Sequence, residues 1–202
     1  LLYVQKNIEK AFKTIANVEK LDIRLTPNRG RDLSPMLVEF YKECLAHDYV
    51  LHVHSKKSPY GSEVAGWFDY CLSHLLDSTV YTDSIFNMFR DDEKLGIVYP
   101  PAFPGVASHM TWGDMKDQAK GVLKKLKIPM KTLDKFPLDF PSGSMIWFRS
   151  KALKPLFSGK FKWNDFPEEK GQKDDTLAHI IERLFFYIAD HRGYTRRSFR
   201  PA

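Results

Sequence analysis

Cysteine is scarce, with two among 202 residues, Cys44 and Cys71. Two thiols make neither a disulfide framework nor a metal motif. Each falls on the apolar stripe of a predicted helix, where a buried free thiol is expected. Long apolar runs are also missing. No stretch approaches the ~20 residues that a membrane-spanning helix needs, and no signal peptide is visible. There is no internal repeat or low-complexity tract. The glycine spacings of Rossmann and Walker loops are absent. Aromatic residues sit on core stripes rather than among basic ones, so nucleic acid is not an expected partner.

What is present suits one globular domain spanning residues 1–202, long enough to bury a core. Hydrophobic residues make up 43% and charged residues 28%, with fifteen Phe, nine Tyr and four Trp. The first residue, Leu1, lies inside an apolar run, so the chain is expected to be a fragment of a longer one. Two cysteines fit a reducing cytoplasm. The formal charge of +6 suggests an anionic partner. Lys124, Lys125, Lys127 and Lys131 either face a membrane surface or acidic ligand, or form the wet side of a helix. Arg196, Arg197 and Arg200 read as a basic arm toward lipid head groups, or as the start of a linker.

The hydrophobic periodicity predicts alternating strands and helices. Leu1–Val4 reads as the end of a strand, Asn7–Glu19 as a helix and Leu21–Leu25 as a short strand. Ser34 and Pro35 suit the cap and first turn of a helix carrying Met36, Leu37, Phe40, Tyr41, Cys44 and Leu45 inward. Tyr49–His54 is a strand. Ser62 is expected to cap a helix with Val64, Trp67, Phe68, Cys71, Leu75 and Leu76 inward. A helical segment near Ser84–Arg90 precedes the strand Leu95–Tyr99. Pro100–Gly113 is a long loop of the kind that forms binding loops or lids. Helices follow at Met115–Leu126, from Ser150 to Phe157 and within Asp174–Asp190, with a strand at Ser144–Phe148. This pattern predicts an α/β domain with a mainly parallel sheet flanked by helices and a loop-rich C-terminal half.

Four stretches can carry chemistry. In Tyr49–Ser58, an apolar strand ends in His52, His54 and Lys56 on one face, with Lys57 beside them. That end suits a phosphate, or a metal held by His52 and His54; it also suits a strand leaving the core into a solvated turn. Asn28-Arg29-Gly30-Arg31-Asp32 lies between a predicted strand and helix, where backbone N–H groups favour an anion. Arg31 can pair with phosphate and Asp32 can accept from a ribose or base, though on this stretch alone plain turn chemistry, with Asp32 near an N-cap, is the favoured reading. In Phe140–Trp147, small residues allow close approach to the backbone. Ser142 and Ser144 can bond a sugar and Trp147 can stack on it, or pack in the core. In Glu168–Thr176, either Asp174 or Asp175 can cap a helix N-terminus. The other is then a candidate general base. His179 and Arg183 follow on one helix face, beside Glu182.

NRGRDLSPML (28–37), VHSKKS (53–58), LGIVYP (95–100), FPSGSMIWFRSKAL (140–153) and GQKDDTLAHIIERLF (171–185) occur in order over nearly the whole chain. Together they resemble the rhamnan synthesis F family of bacterial polysaccharide-synthesis proteins. The resemblance implies a single-domain glycosyltransferase A-like fold. It also implies transfer of a sugar, rhamnose among the candidates, from a nucleotide-diphosphate donor to a polysaccharide or lipid-linked saccharide acceptor. The expected place is the cytoplasm, at the inner face of the cell membrane, with peripheral membrane association.

Two departures stand out. A-type transferases commonly carry Asp-x-Asp, with Mg²⁺ or Mn²⁺, where this chain has His52-Val53-His54. Lys56, Lys57 or Arg31 can supply the positive charge instead. Where the family has Asp-Gly-Thr, this chain has Asp174-Asp175-Thr176. The expected reaction is inverting glycosyl transfer. Asn28 and Asp32 serve the nucleoside, while His54, Lys56 and Arg31 serve the diphosphate. Asp174 is the base, and Ser142, Ser144 and Trp147 place the acceptor. The alternatives are a non-catalytic polysaccharide- or partner-binding module of the same fold, and a metal-dependent hydrolase using His52, His54 and the acidic cluster.

Overall fold

The computed structural model describes residues 2–15, 18–55, 64–170 and 174–200. Lys56, Lys57 and the expected cap Ser62 lie outside these residues. The helices are α1 (Leu2–Lys13), α2 (Tyr41–Ala46), α3 (Trp67–Leu76), α4 (Thr79–Asp91), α5 (Lys116–Lys125), α6 (Ser150–Ser158) and α7 (Leu177–His191). The strands are β1 (Tyr49–His52), β2 (Leu95–Tyr99), β3 (Ile146–Arg149) and β4 (Thr195–Ser198).

The strands form one sheet in the order β1-β3-β2-β4. β3 pairs antiparallel with both β1 and β2, and only β2 and β4 run parallel. The expected α/β class holds, but the sheet is mixed rather than mainly parallel. Alternation along β1 and β3, with an irregularity in β2 between Leu95 and Ile97, builds two cores. Val50, Ile97, Ile146 and Phe148 face one layer with α5, α6 and α7. Tyr49, Leu95, Val98 and Trp147 face the other, packing on Ile85 and Phe89 of α4. Cys71 and Leu75 of α3 extend this second layer beside Leu51 and Met145. Both cysteines are buried free thiols, and burial pushes each up to about 12.

Helix α7 occupies the centre. Ile181, Leu184, Phe185, Phe186, Tyr187 and Ile188 have no exposed surface. A helix apolar nearly all round is a buried one. At its N-terminal end the pattern breaks with His179, Glu182 and Arg183, whose spacing puts them on one side.

Several local expectations change. Leu1–Val4 is not the end of a strand: residues from Leu2 belong to α1, which ends at Lys13 rather than Glu19. Residues 21–25 take no strand pairing. The segment after Ser34 is a π-helix, Pro35–Glu39. Ser34 does not cap it; its backbone is helical and its hydroxyl donates to the Arg29 carbonyl. Leu76 is 41% exposed rather than inward. The cap of α7 is Thr176, not Asp174 or Asp175. Of the basic tail, Arg196 and Arg197 belong to β4, with Arg196 stacked 4.2 Å over Phe136 and 3.7 Å from a carboxylate oxygen of Asp139, and the exposed Arg200 follows the strand. The Pro100–Gly113 loop contains a 3-10 helix, Pro104–His109.

Candidate functional site

The Asn28–Asp32 turn is fastened to the acidic segment by a short backbone ladder. Arg29 bridges Glu168, Gly30 N–H donates to Pro167 O at 3.3 Å, and Glu169 N–H donates to Asn28 O at 3.1 Å. Arg31 N–H donates to the Glu169 carboxylate at 3.1 Å. Gly30 has φ +64, and an added Cβ would fall 2.5 Å from Phe166 Cδ1. Only glycine fits this close approach. Segments about 140 residues apart in sequence therefore meet across one backbone contact, shown by the separation of 138 for the Arg31–Glu169 bond.

Beside this ladder lies a cavity of about 650 Å³. Its wall brings together Arg31, Asp32, His54, Ser142, Ser144 and Asp174 from four separate stretches. The strand end β1 supplies His54, whose Nε2 faces the Gly143 carbonyl at 2.8 Å. His52 stands behind the wall. Its Nδ1 faces Ser144 O at 2.8 Å, and its Nε2 is 3.4 Å from Asp32 O and 3.8 Å from Asp32 Oδ2. The turn before β3 is held in the left-handed region at Gly143 and Ser144, with φ +91 and +59.

Asp174 stands at the start of α7. Its Oδ2 accepts from Arg183 Nη2 at 2.9 Å. Arg183 is itself buried, with Nε donating to Thr111 O at 2.8 Å and Nη1 to His179 O at 3.1 Å. Asp174 Oδ1 has no hydrogen-bond partner. Asp175 is exposed and has φ +64, a backbone state that suits glycine. The second carboxylate thus occupies a glycine-like turn position and is not part of the cavity wall.

Some expected site residues lie elsewhere. Asn28 is exposed and outside the wall. Trp147 belongs to the core: its Nε1 donates to Leu75 O at 3.2 Å and its ring meets Phe86 edge-on at 5.1 Å.

The wall also contains groups to which the sequence assigned no role. Trp67 opens α3 and comes within 3.1 Å of where a Cβ on Gly143 would sit. His109 enters from the long loop. Glu182 accepts from Gly143 N–H at 2.7 Å, and desolvation raises its carboxyl to about 7. Burial lowers His179 to about 4, with the Arg31 charge adding to the effect. The legible signal was three polar residues, His179, Glu182 and Arg183, spaced three and four apart on an otherwise apolar helix. Trp67 gave no signal that separated it from a core tryptophan.

Among the described residues, no group of three or more His, Cys, Asp and Glu could hold a metal ion. His52 and His54 each direct a ring nitrogen at a backbone carbonyl, and their rings are 6.4 Å apart. The described residues therefore do not fit a complete Mg²⁺ or Mn²⁺ site.

The family of rhamnan synthesis protein F (RgpF) matches residues 4–194. The chain belongs to this family. Membership ties this RgpF-family domain to polysaccharide synthesis. It is also similar to two curated relatives, each named uncharacterized protein WxcX, from Xanthomonas campestris pv. campestris strains B100 and ATCC 33913. Both are 32% identical over 169 residues, covering 83% of this chain and 24% of the relative. The chain thus spans about a quarter of the length of the curated relatives it matches. No solved structure matches it. Among the described residues, no helix is long and apolar enough to cross a membrane.

Proposed function

We propose that this domain is an inverting glycosyltransferase. It moves a sugar from a nucleotide-diphosphate donor to a hydroxyl of a growing polysaccharide or lipid-linked saccharide, at the cytoplasmic face of a membrane. The observation that carries this is the state of Asp174. One carboxylate oxygen is held by a buried arginine and the other has no hydrogen-bond partner, in a residue of the cavity wall to which Arg31, His54, Ser142 and Ser144 also belong.

In the proposed step, Asp174 takes the proton of the acceptor hydroxyl. The acceptor oxygen bonds to the anomeric carbon as the bond from that carbon to the diphosphate oxygen breaks. The nucleoside diphosphate leaves with the bonding electrons. Arg31, with Lys56 and Lys57, balances the departing charge. Asp32 serves the nucleoside side, and Ser142 and Ser144 orient the acceptor. Arg183 keeps Asp174 in one orientation.

The test is incubation of the domain with a panel of nucleotide-diphosphate sugars and a saccharide acceptor. Release of nucleoside diphosphate matched by a glycosylated product supports transfer; no turnover with any donor contradicts it. A non-catalytic saccharide-binding module of the same fold is the second reading, favoured by the lack of an Asp-x-Asp pair at the end of β1. Calorimetry separates the two, because a module of that kind binds no nucleoside diphosphate.

A further inference from the structure

The turn that leads into β3 is left-handed at two successive residues, Gly143 at φ +91 and Ser144 at φ +59. Glycine takes this state freely. Serine takes it at a cost in free energy. Such a conformation persists only where the surrounding structure over-determines it. Here three consecutive peptide groups are gripped. The group between residues 142 and 143 is held at its N–H, which donates to Glu182 Oε1 at 2.7 Å. The next is held at both ends: the Gly143 carbonyl accepts from His54 Nε2 at 2.8 Å, and Ser144 N–H donates to Pro141 O at 2.9 Å. The third is held at Ser144 O, which accepts from His52 Nδ1 at 2.8 Å. A carbonyl only accepts, so both of these ring nitrogens carry a proton.

The three side chains come from two elements. Glu182 belongs to α7, while His52 ends β1 and His54 lies just beyond it. His52 Nε2 also lies 3.4 Å from Asp32 O, so one imidazole stands between this turn and the Asn28–Asp32 turn. The pattern His52-x-His54 offers two imidazoles to a ligand, yet each aims a ring nitrogen at the backbone of residues 143 and 144. Ser142 and Ser144 belong to the cavity wall. The planes of the peptide groups beside them decide where their hydroxyls lie.

We propose that Glu182, His52 and His54 act as one clamp that sets the Gly143–Ser144 turn on the cavity wall, and that they are positioning residues for the substrate that meets Ser142 and Ser144. The proposal deepens the transferase reading and rests on it for the view that this substrate is the acceptor. The clamp itself is testable without turnover.

The first measurement follows the Gly143 amide signal of the full chain labelled with nitrogen-15. An ionised carboxylate is a stronger acceptor than a protonated one. The signal should therefore move as pH passes through about 7, where Glu182 titrates. Arg183, Asp32 and Arg31 are the charged groups acting on Glu182, the Cys71 thiol of α3 senses its charge, and the His54 ring bonds the Gly143 carbonyl. Glu182→Gln keeps an acceptor oxygen but cannot ionise, so it isolates the part due to Glu182 and should remove that movement. A Gly143 signal with the same pH course in wild type and Glu182→Gln overturns the clamp.

The second measurement is kinetic. Glu182→Met and His54→Leu remove a bond to the turn, whereas Glu182→Gln and His54→Gln keep an acceptor and a donor. Each removal should raise the acceptor KM about tenfold, the effect of one hydrogen bond, with nucleoside-diphosphate affinity unchanged. The two Gln variants should recover most of that loss. Weakened nucleoside-diphosphate binding in His54→Leu with an unchanged acceptor KM overturns the positioning role, as does a Gln variant as impaired as its truncated counterpart. If a truncated variant does not fold, the Gly143 signal decides. No turnover with any donor defeats the transferase reading alone. Turnover with an identical Gly143 pH course in wild type and Glu182→Gln defeats this proposal alone.

Discussion

Arg183 Nη2 donates to Asp174 Oδ2 at 2.9 Å, and the same guanidinium is anchored on the carbonyls of Thr111 and His179. The long loop and α7 thereby fix one oxygen of Asp174, and the other lies 3.6 Å from His179 Nδ1 without a hydrogen bond. Arg183→Lys keeps the charge but not the fork. It should lower transfer more than tenfold while nucleotide binding changes little. Arg183→Met should also cost about 1–3 kcal/mol of stability by leaving carbonyl acceptors unpaired. Steady-state kinetics with denaturant unfolding checks both.

Asp175→Gly should be tolerated in transfer assays and should not lower stability. The residue is exposed and sits at φ +64, so glycine relieves a backbone cost of roughly 1 kcal/mol. The gain is partly offset by the greater freedom of glycine in the unfolded chain. A large loss of turnover in this variant would return Asp175 to the list of candidate bases.

The pH dependence of stability should show two opposing contributions. Glu182 is raised from 4.5 to about 7 in the folded chain. Its stabilising contribution is therefore full below pH 4.5 and is lost as pH rises through about 7. His179 is lowered from 6.5 to about 4, so its contribution is full above pH 6.5 and is lost as pH falls through about 4. The two slopes oppose each other between about pH 4.5 and 6.5. Glu182→Gln should unmask a rise in melting temperature with pH in that window. An unchanged pH profile in the variant would contradict the placement of Glu182 beside Gly143.

Trp147→Phe should lower the melting temperature and leave saccharide and nucleotide binding unchanged, because its ring packs against Phe86 and its N–H is bonded to Leu75 O. The indole at the cavity is Trp67. Both tryptophans follow the same composition rule, and only the tertiary arrangement distinguishes them.

How much was legible follows from which interactions are local. Leu95–Tyr99 was readable because a short apolar run bounded by turn residues leaves few options. Met115, Ala119, Val122, Leu123 and Leu126 were correctly spaced for burial, and all are buried. The direction of pairing was not readable, since β3 joins β1 and β2 through backbone hydrogen bonds that periodicity does not encode. β4 was missed because Thr195-Arg-Arg-Ser198 has a solvent-like composition, and its Arg196 is sheltered by Phe136 and Phe186 from distant segments. At the site, Gly30 and the acidic segment were visible separately. Their joining by backbone bonds was not. Glu182 was visible as a polar residue on an apolar helix, but its desolvation depends on the turn at Gly143.

The most direct measurement compares nucleotide-sugar turnover by the wild-type domain and by Asp174→Asn, with nucleotide affinity measured on the same samples. Removing a base of this kind costs about 10²–10⁴-fold in rate. The account predicts such a loss with nucleotide affinity retained. Turnover by Asp174→Asn at the wild-type rate would contradict it.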